Sequence, residues 1–160
     1  MTDLPKYKFA LRNDIKNCKE FLPKQSERDA TGYDVRCAAK DGVIMNNGDI
    51  VKIPLGIRAY CPDGWWLELN PRSSTFLKRE LITLVGIIDQ SFPEELHLVG
   101  KFFSNTKPFL KIEFGDLIGQ LVPVKLQRME VEEFTNEEMD EAIKERNAER
   151  KSGFGSTGVR

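Results

Sequence analysis

The sequence predicts an all-β domain with one short helix in its middle and a second, polar helix near its C-terminal end. Three observations carry that expectation. Short β-prone runs recur along the chain, several with alternating apolar and polar residues, the period of a half-buried strand. Turn-forming clusters of Gly, Pro, Asn and Asp separate them at short spacing, the pattern of a sandwich or barrel rather than of βαβ units. A sustained helical signal with its own start cap comes only at Thr135.

Composition narrows the possibilities further. At 160 residues, with 40% hydrophobic and 31% charged residues, the chain fits one soluble domain with a sizeable core. The formal net charge of −1 supplies no global field toward nucleic acid or an anionic membrane, so neither is expected as a partner. Any polyanion must be held by local groups. Cys18, Cys37 and Cys61 are odd in number, widely spaced and without CxxC or His partners, which argues against a disulfide framework or a zinc site. Reduced, buried thiols are expected. With no charged-then-apolar leader and no apolar run of bilayer length, the sequence reads as an intracellular, cytoplasmic protein.

Taken in order, Tyr7, Phe9 and Leu11 alternate with Lys6, Lys8 and Ala10 as a first strand. A polar stretch then leads into Ala30-Thr31-Gly32-Tyr33-Asp34-Val35, where small residues permit close backbone approach and Asp34 sits just inside a short β-like run. Asn46-Asn47-Gly48-Asp49 is a strong turn, followed by Ile50, Ile53, Leu55 and Ile57 in a stretch broken by Pro54 and Gly56, the mark of an edge strand or bulge. Pro62-Asp63-Gly64 turns the chain into Trp65–Leu69, another strand, which Pro71 is expected to stop.

Arg72-Ser73-Ser74-Thr75 admits two compatible readings. The Arg fork, the hydroxyls and the backbone N–H groups after a turn can cradle an anion. Equally, Ser73 or Ser74 can cap a short helix through Thr75–Glu80, and a helix N-terminus is itself an anion site. Leu81 to Ile88 is a nearly unbroken apolar run that ends at Asp89, a carboxylate costly to desolvate without a partner or a purpose. Read alone, Asp89-Gln90-Ser91 is also ordinary turn chemistry, with Phe92 returning to the core. Leu96–Phe103 reads as a strand; its His97, the only histidine, lacks a second ligand at metal spacing and is taken as structural.

Phe109–Phe114 and Leu117–Val124, joined by Gly115-Asp116, read as a further hairpin around Gln120. Thr135 with Glu138 forms a capping box at the head of a helix whose thin apolar stripe, Met139, Ala142 and Ile143, predicts that it is mostly solvated. After it, Arg150 to Gly158 embeds Phe154 among glycines and hydroxyls and cannot fold by itself. A loose terminus is the plain reading. The same residues suit a nucleotide lid: Phe154 to stack on a base, Arg150 for phosphate, and Gly155, Ser156 and Thr157 for further oxygens. The expected divisions are a β domain over 1–134, a polar helix over 135–149 and an arm over 150–160.

These segments, in this order, resemble the trimeric dUTPases (dUTP pyrophosphatases). Ala30–Asp34 looks like the first motif of that family, Pro71–Ser74 the second, Gly86–Phe92 the third, Gly115–Leu121 the fourth and Arg150–Gly158 the fifth. The resemblance implies a jelly-roll-like subunit in a homotrimer, each active site shared among three chains, with dUTP as substrate and Mg2+ as cofactor. It implies Asp89 as the general base that deprotonates water for attack on the α-phosphorus, giving dUMP and pyrophosphate. Asp34 would support magnesium through water, Arg72, Ser73, Ser74 and Gln120 the phosphates, and Arg150, Ser156 and Thr157 the γ end, with Phe154 and Gly155 closing over the base. Thr83, Gly86, Ile88 and Phe92 would line the nucleoside pocket.

The family commonly continues its third motif as Asp-x-Asp-Tyr-Arg-Gly, whereas this chain has Asp89-Gln90-Ser91-Phe92-Pro93-Glu94. It also has Ser74 for a usual glycine and Thr83 for a usual Asn. A related family of the same fold, the dCTP deaminases, shares an Asp-x-x-aromatic segment, but its proton-shuttling glutamate falls here near Val99. A third reading is a nucleotide-responsive interaction protein, with the polar helix and the 14–29 segment as candidate surfaces for a regulatory partner.

Overall fold

Short strands cannot close a sheet with their chain neighbours alone, so each must find an edge to pair with, often far away in sequence. The structure, a computed structural model that describes residues 4–146, shows which edges are used. The chain divides into a unit ending at Gln127 and a second beginning at Arg128. The first contains strands β1 (Lys8–Leu11), β2 (Tyr33–Arg36), β3 (Val43–Asn46), β4 (Ile50–Pro54), β5 (Ile57–Tyr60), β6 (Trp65–Pro71), β7 (Leu81–Thr83), β8 (Gly86–Ile88), β9 (His97–Phe102), β10 (Phe109–Ile112) and β11 (Leu117–Lys125), with a short helix α1 (Ser73–Leu77) between β6 and β7. The all-β reading with one short central helix is therefore met.

All pairings are antiparallel. A four-stranded sheet runs β2-β11-β6-β8, a three-stranded sheet β4-β9-β7, and two further pairs are β1-β5 and β3-β10. Alternation decides which side chains meet: Leu67 and Leu69 of β6, Val35 of β2, and Ile118 and Leu121 of β11 join Ile53, Leu81, Leu98 and Phe102 in one core. As expected, β4 is an edge strand that pairs with β9 alone.

Several local expectations are corrected. Gly115-Asp116 does reverse the chain, but β10 and β11 do not pair: β10 pairs with β3, and β11 lies between β2 and β6. The turn passes the chain from one sheet to another. Likewise β3 and β4, flanking Asn46–Asp49, belong to different sheets. The apolar run Leu81–Ile88 is two strands, β7 and β8, which pair with different partners. Strand β6 continues to Pro71, opposite Gly119. Neither Ser73 nor Ser74 caps α1, because Arg72 holds the N-cap position without a side-chain bond and both serines lie in the first turn.

The 14–29 segment is anchored more firmly than its polarity suggests. Two 3-10 turns, Asn13–Ile15 and Lys19–Phe21, bury Ile15 and Phe21 against Ala38. Cys37 and Cys61 are buried free thiols as expected, but Cys18 is only half-buried. His97 is exposed, with Nδ1 2.9 Å from the Glu95 carbonyl, in keeping with a structural role.

In the second unit, helix α2 (Asn136–Arg146) starts with the expected capping box. The Thr135 amide donates to Glu138 Oε2 at 2.8 Å, and the Glu138 amide returns to Thr135 Oγ1 at 3.2 Å. None of its residues is buried. Among the described residues no helix is long and apolar enough to cross a membrane.

Candidate active site

Gln120, near the start of β11, lies opposite Asp34 of β2 on one side and Asn70 of β6 on the other. That register brings the first, second and fourth motifs to one end of the four-stranded sheet. Asp34 is further fixed from outside β2, because its amide donates to the Lys24 carbonyl at 2.8 Å. Its carboxylate meets Arg72 Nε at 3.0 Å, with the Asp34 side chain only 12% exposed. The shielded anion therefore holds the guanidinium at the β6–α1 junction and leaves its other nitrogens for a ligand. Gln120 Nε2 donates to the Pro71 carbonyl at 3.1 Å, bringing a second polar side chain to the same junction.

Gly32 explains how Gln120 is accommodated. A Cβ at this position would overlap Gln120 Oε1 and lie 2.7 Å from its Cδ. The glycine is required by this close approach, the reading its small neighbours suggested. Ser73 and Ser74 follow Arg72 in the first turn of α1, Ser73 exposed and Ser74 half-buried.

Two groups that sequence reasoning did not single out hold α1 in place. Thr75, fully buried, donates its hydroxyl to the Ile118 carbonyl at 2.7 Å. Arg79 reaches Asp116 Oδ2 at 2.8 Å, so the segment just after α1 is tied to the start of the fourth motif. Burial works to raise the Asp116 pKa, but the Arg79 hydrogen bond and charge together with the Glu113 amide bring it below the usual carboxylate range. Thr75 carries no local signal of its role, since its partner is 43 residues away.

The third motif lies elsewhere on the same sheet. Ile88 pairs with Leu67, which sets Asp89 beside Trp66, whereas Gln120 is opposite Asn70. At about 3.3 Å per residue and about 4.8 Å between strands, the two ends are roughly 16 Å apart. Asp89 is exposed, and the Phe92 amide bonds back to its carbonyl at 3.1 Å as a tight turn. Phe92 is half-buried against the core, as expected of it. The Ile88 side chain is in the core, so only its backbone is free to meet a ligand, and Gly86 packs against Leu69. Thr83 Oγ1 is shielded from solvent and has no hydrogen-bond partner among the described residues. Buried polar atoms are seldom left so. Arg150, Phe154, Gly155, Ser156 and Thr157 lie outside the described residues.

No group of three or more His, Cys, Asp or Glu side chains among the described residues could hold a metal ion. The donor set at Asp34, one carboxylate already paired with Arg72, suits an ion carried by a ligand's phosphates and its own waters rather than an all-protein cage.

Comparison with known proteins points to one family. A family model described as dUTPase matches residues 19–158. The deoxyuridine 5'-triphosphate nucleotidohydrolase of Fusobacterium nucleatum is 31% identical over 139 residues, 86% of this chain and 89% of that protein. The enzyme of the same name from Lactococcus lactis is 31% identical over 157 residues, 94% of this chain and 97% of that one. Among solved structures, the dUTPase of Streptococcus mutans superposes with a TM-score of 0.68 at 27% identity, covering 77% of this chain and 98% of that chain. The dUTPase of Staphylococcus bacteriophage 80alpha, at 22% identity, shares the fold with a TM-score of 0.76 over 96% of this chain and 99% of that chain. With the acidic, basic and amide groups of three distant motifs gathered at one sheet end, and a family match over most of its length, the chain belongs to the dUTPase family.

Proposed function

We propose that the protein hydrolyses dUTP to dUMP and pyrophosphate. The observation that carries this reading is the meeting of Asp34, Arg72 and Gln120 at the β6–α1 junction, which makes a shielded, preorganised phosphate site from three distant segments. Such a reaction asks little covalent chemistry of the protein. It asks for in-line placement of water and α-phosphorus, neutralised charge and a base for the water proton.

In this reading Arg72, Gln120, Ser73 and Ser74 hold the triphosphate. Asp34 would support a magnesium ion through water, and the ion, when bound with the triphosphate, would supply charge neutralisation. Asp89 takes a proton from water as the oxygen bonds to the α-phosphorus and the bond to the bridging oxygen of pyrophosphate breaks. The orphan hydroxyl of Thr83 offers a hydrogen bond to the uracil edge, and Phe92 beneath the sugar leaves no room for a 2′-hydroxyl. The arm carrying Arg150, Phe154, Gly155, Ser156 and Thr157 closes over the nucleotide, as part of a 150–160 segment following the 1–134 domain and the 135–149 helix.

One chain does not complete this site, because its Asp89 lies about 16 Å from its own Gln120 by strand spacing. A homotrimer with shared sites resolves the separation. Aliphatic side chains just before and within the third motif support it: Ile82, Leu84, Val85 and Ile87 are 51%, 67%, 56% and 67% exposed in the single chain. Grouped exposed apolar residues of this kind mark association surfaces.

The deciding experiment incubates the protein with magnesium and each dNTP and follows pyrophosphate, ammonia and product masses, beside Asp89→Asn. Pyrophosphate from dUTP alone is expected, with the variant slower by about 10² to 10⁴, the range for a lost general base. Ammonia from dCTP, or no turnover of any dNTP, would overturn the reading.

A further inference from the structure

Asp89 is exposed on a four-residue turn, and a base must be held within tenths of an ångström of its working position to be effective. Apart from the packing of the half-buried Phe92 ring on the core, little holds this turn from behind. An open cavity of about 550 Å³ lies against Gln90–Pro93, walled on its other sides by Lys8, Arg58, Tyr60 and Cys61 among others. The backbone bond from Phe92 to Asp89 closes the turn on itself but ties it to nothing else. Among the described residues, one side-chain hydrogen bond joins residues 89–94 to the rest of the fold: Gln90 Nε2 donates to the Pro62 carbonyl at 3.0 Å.

That acceptor is well placed to serve as an anchor. The Pro62 carbonyl also receives the Trp65 amide at 3.1 Å, so it belongs to the closed turn that starts β6. Leu126, just beyond the end of β11, donates its amide to the Gly64 carbonyl of the same turn at 2.8 Å. The anchor is thus built into the central strands of the sheet whose far end holds Arg72 and Gln120. Just before that turn, Cys61 is buried and close enough to Asp89 that the carboxylate adds to burial in raising the thiol pKa.

We propose that Gln90 is a positioning residue for the reaction: its amide pins the turn bearing Asp89 to the Pro62 carbonyl and so sets the aim of the base. The assignment rests on the dUTP-hydrolysing reading and adds to it a residue that does not itself touch substrate.

The test compares Gln90→Met, which keeps the length and removes the donor, with Gln90→Lys, which restores a donor of similar reach. Loss of a restraint that governs placement is expected to lower kcat for dUTP by about 5- to 100-fold in the Met variant, with KM changed less than about threefold. The Lys variant is expected to recover most of kcat. Hydrogen exchange of the free protein gives a readout independent of turnover: the Phe92 amide should exchange faster in the Met variant and not in the Lys variant. Unchanged exchange, unchanged kcat, or kcat, KM and melting temperature falling together would each overturn the assignment. If the unmodified protein releases no pyrophosphate from dUTP, the functional reading fails and the positioning role with it, whatever the exchange shows.

Discussion

Replacing Gly32 by alanine should damage catalysis far more than stability, for a reason specific to the packing at the end of the sheet where Asp34, Arg72 and Gln120 meet. The new Cβ would overlap Gln120 Oε1 and approach its Cδ to 2.7 Å and its Cβ to 3.0 Å. The backbone at Gly32, just before β2, does not have the positive φ that only glycine tolerates well, so the backbone itself accepts alanine. What must move is the Gln120 amide, losing its bond to the Pro71 carbonyl. A neutral hydrogen bond of this kind contributes about 1 kcal/mol net. Reduced freedom of the unfolded chain returns about 0.4–1 kcal/mol, so the folded state should weaken by less than about 1 kcal/mol.

In the proposed reading the effect on turnover is larger, because Gln120 would then be misplaced for a charged phosphate. Hydrogen bonds to charged groups contribute about 1.5–3 kcal/mol, so kcat/KM for dUTP should fall about 10- to 150-fold. The assay is steady-state pyrophosphate release, with thermal unfolding in parallel, for Gly32→Ala, Gln120→Ala and the double variant. The two substitutions act through one side chain, so the double variant should be no worse than Gln120→Ala alone. Additive losses, or full activity in Gly32→Ala, would refute the reasoning.

Other perturbations follow from the same structure. Thr75→Val removes the buried hydroxyl that bonds the Ile118 carbonyl and should cost about 1–3 kcal/mol by chemical denaturation, because a buried acceptor is left unpaired. Glu80 adopts a left-handed backbone with φ of 57° after α1, so Glu80→Gly should be more stable than Glu80→Ala by about 1 kcal/mol, the Cβ penalty in that conformation. Equal stabilities would show that the strain is relieved elsewhere. The Arg12 hydrogen bond to Asp14, helped by its charge and by Lys40, holds the Asp14 carboxyl down at about 2. Because an unfolded Asp titrates near about 3.9, this contribution is complete above that value and is lost as pH falls toward 2, where the folded state also takes up the proton. Stability of the unmodified protein should therefore fall more steeply between about pH 4 and pH 2 than that of Asp14→Asn.

Much of the molecule was legible in the residues themselves. Alternation in Phe9 and Leu11, the turns at Asn46–Asp49 and Pro62–Gly64, and the Thr135–Glu138 capping box are governed by interactions within a few residues, so they need no knowledge of the fold. Five short motifs in order, from Ala30–Asp34 to Arg150–Gly158, were enough to suggest the family. Less was visible where a residue's role depends on a distant partner. Ile15 and Phe21 sit in a polar stretch and become anchors only because Ala38 is beside them.

By itself, then, the sequence determined most of the strand-forming segments and turns, and a set of candidate side chains for phosphate and water. Only tertiary structure decided that Gly115-Asp116 passes the chain between sheets instead of closing a hairpin, and that Arg79 meets Asp116. It also decided that Gly32 makes room for Gln120 and that Gln90 reaches Pro62. The physical reason is that turn chemistry fixes local φ and ψ but not which edge a strand will pair with. That choice is made by burying the apolar faces of all the strands in one core, a condition that no short stretch of residues contains.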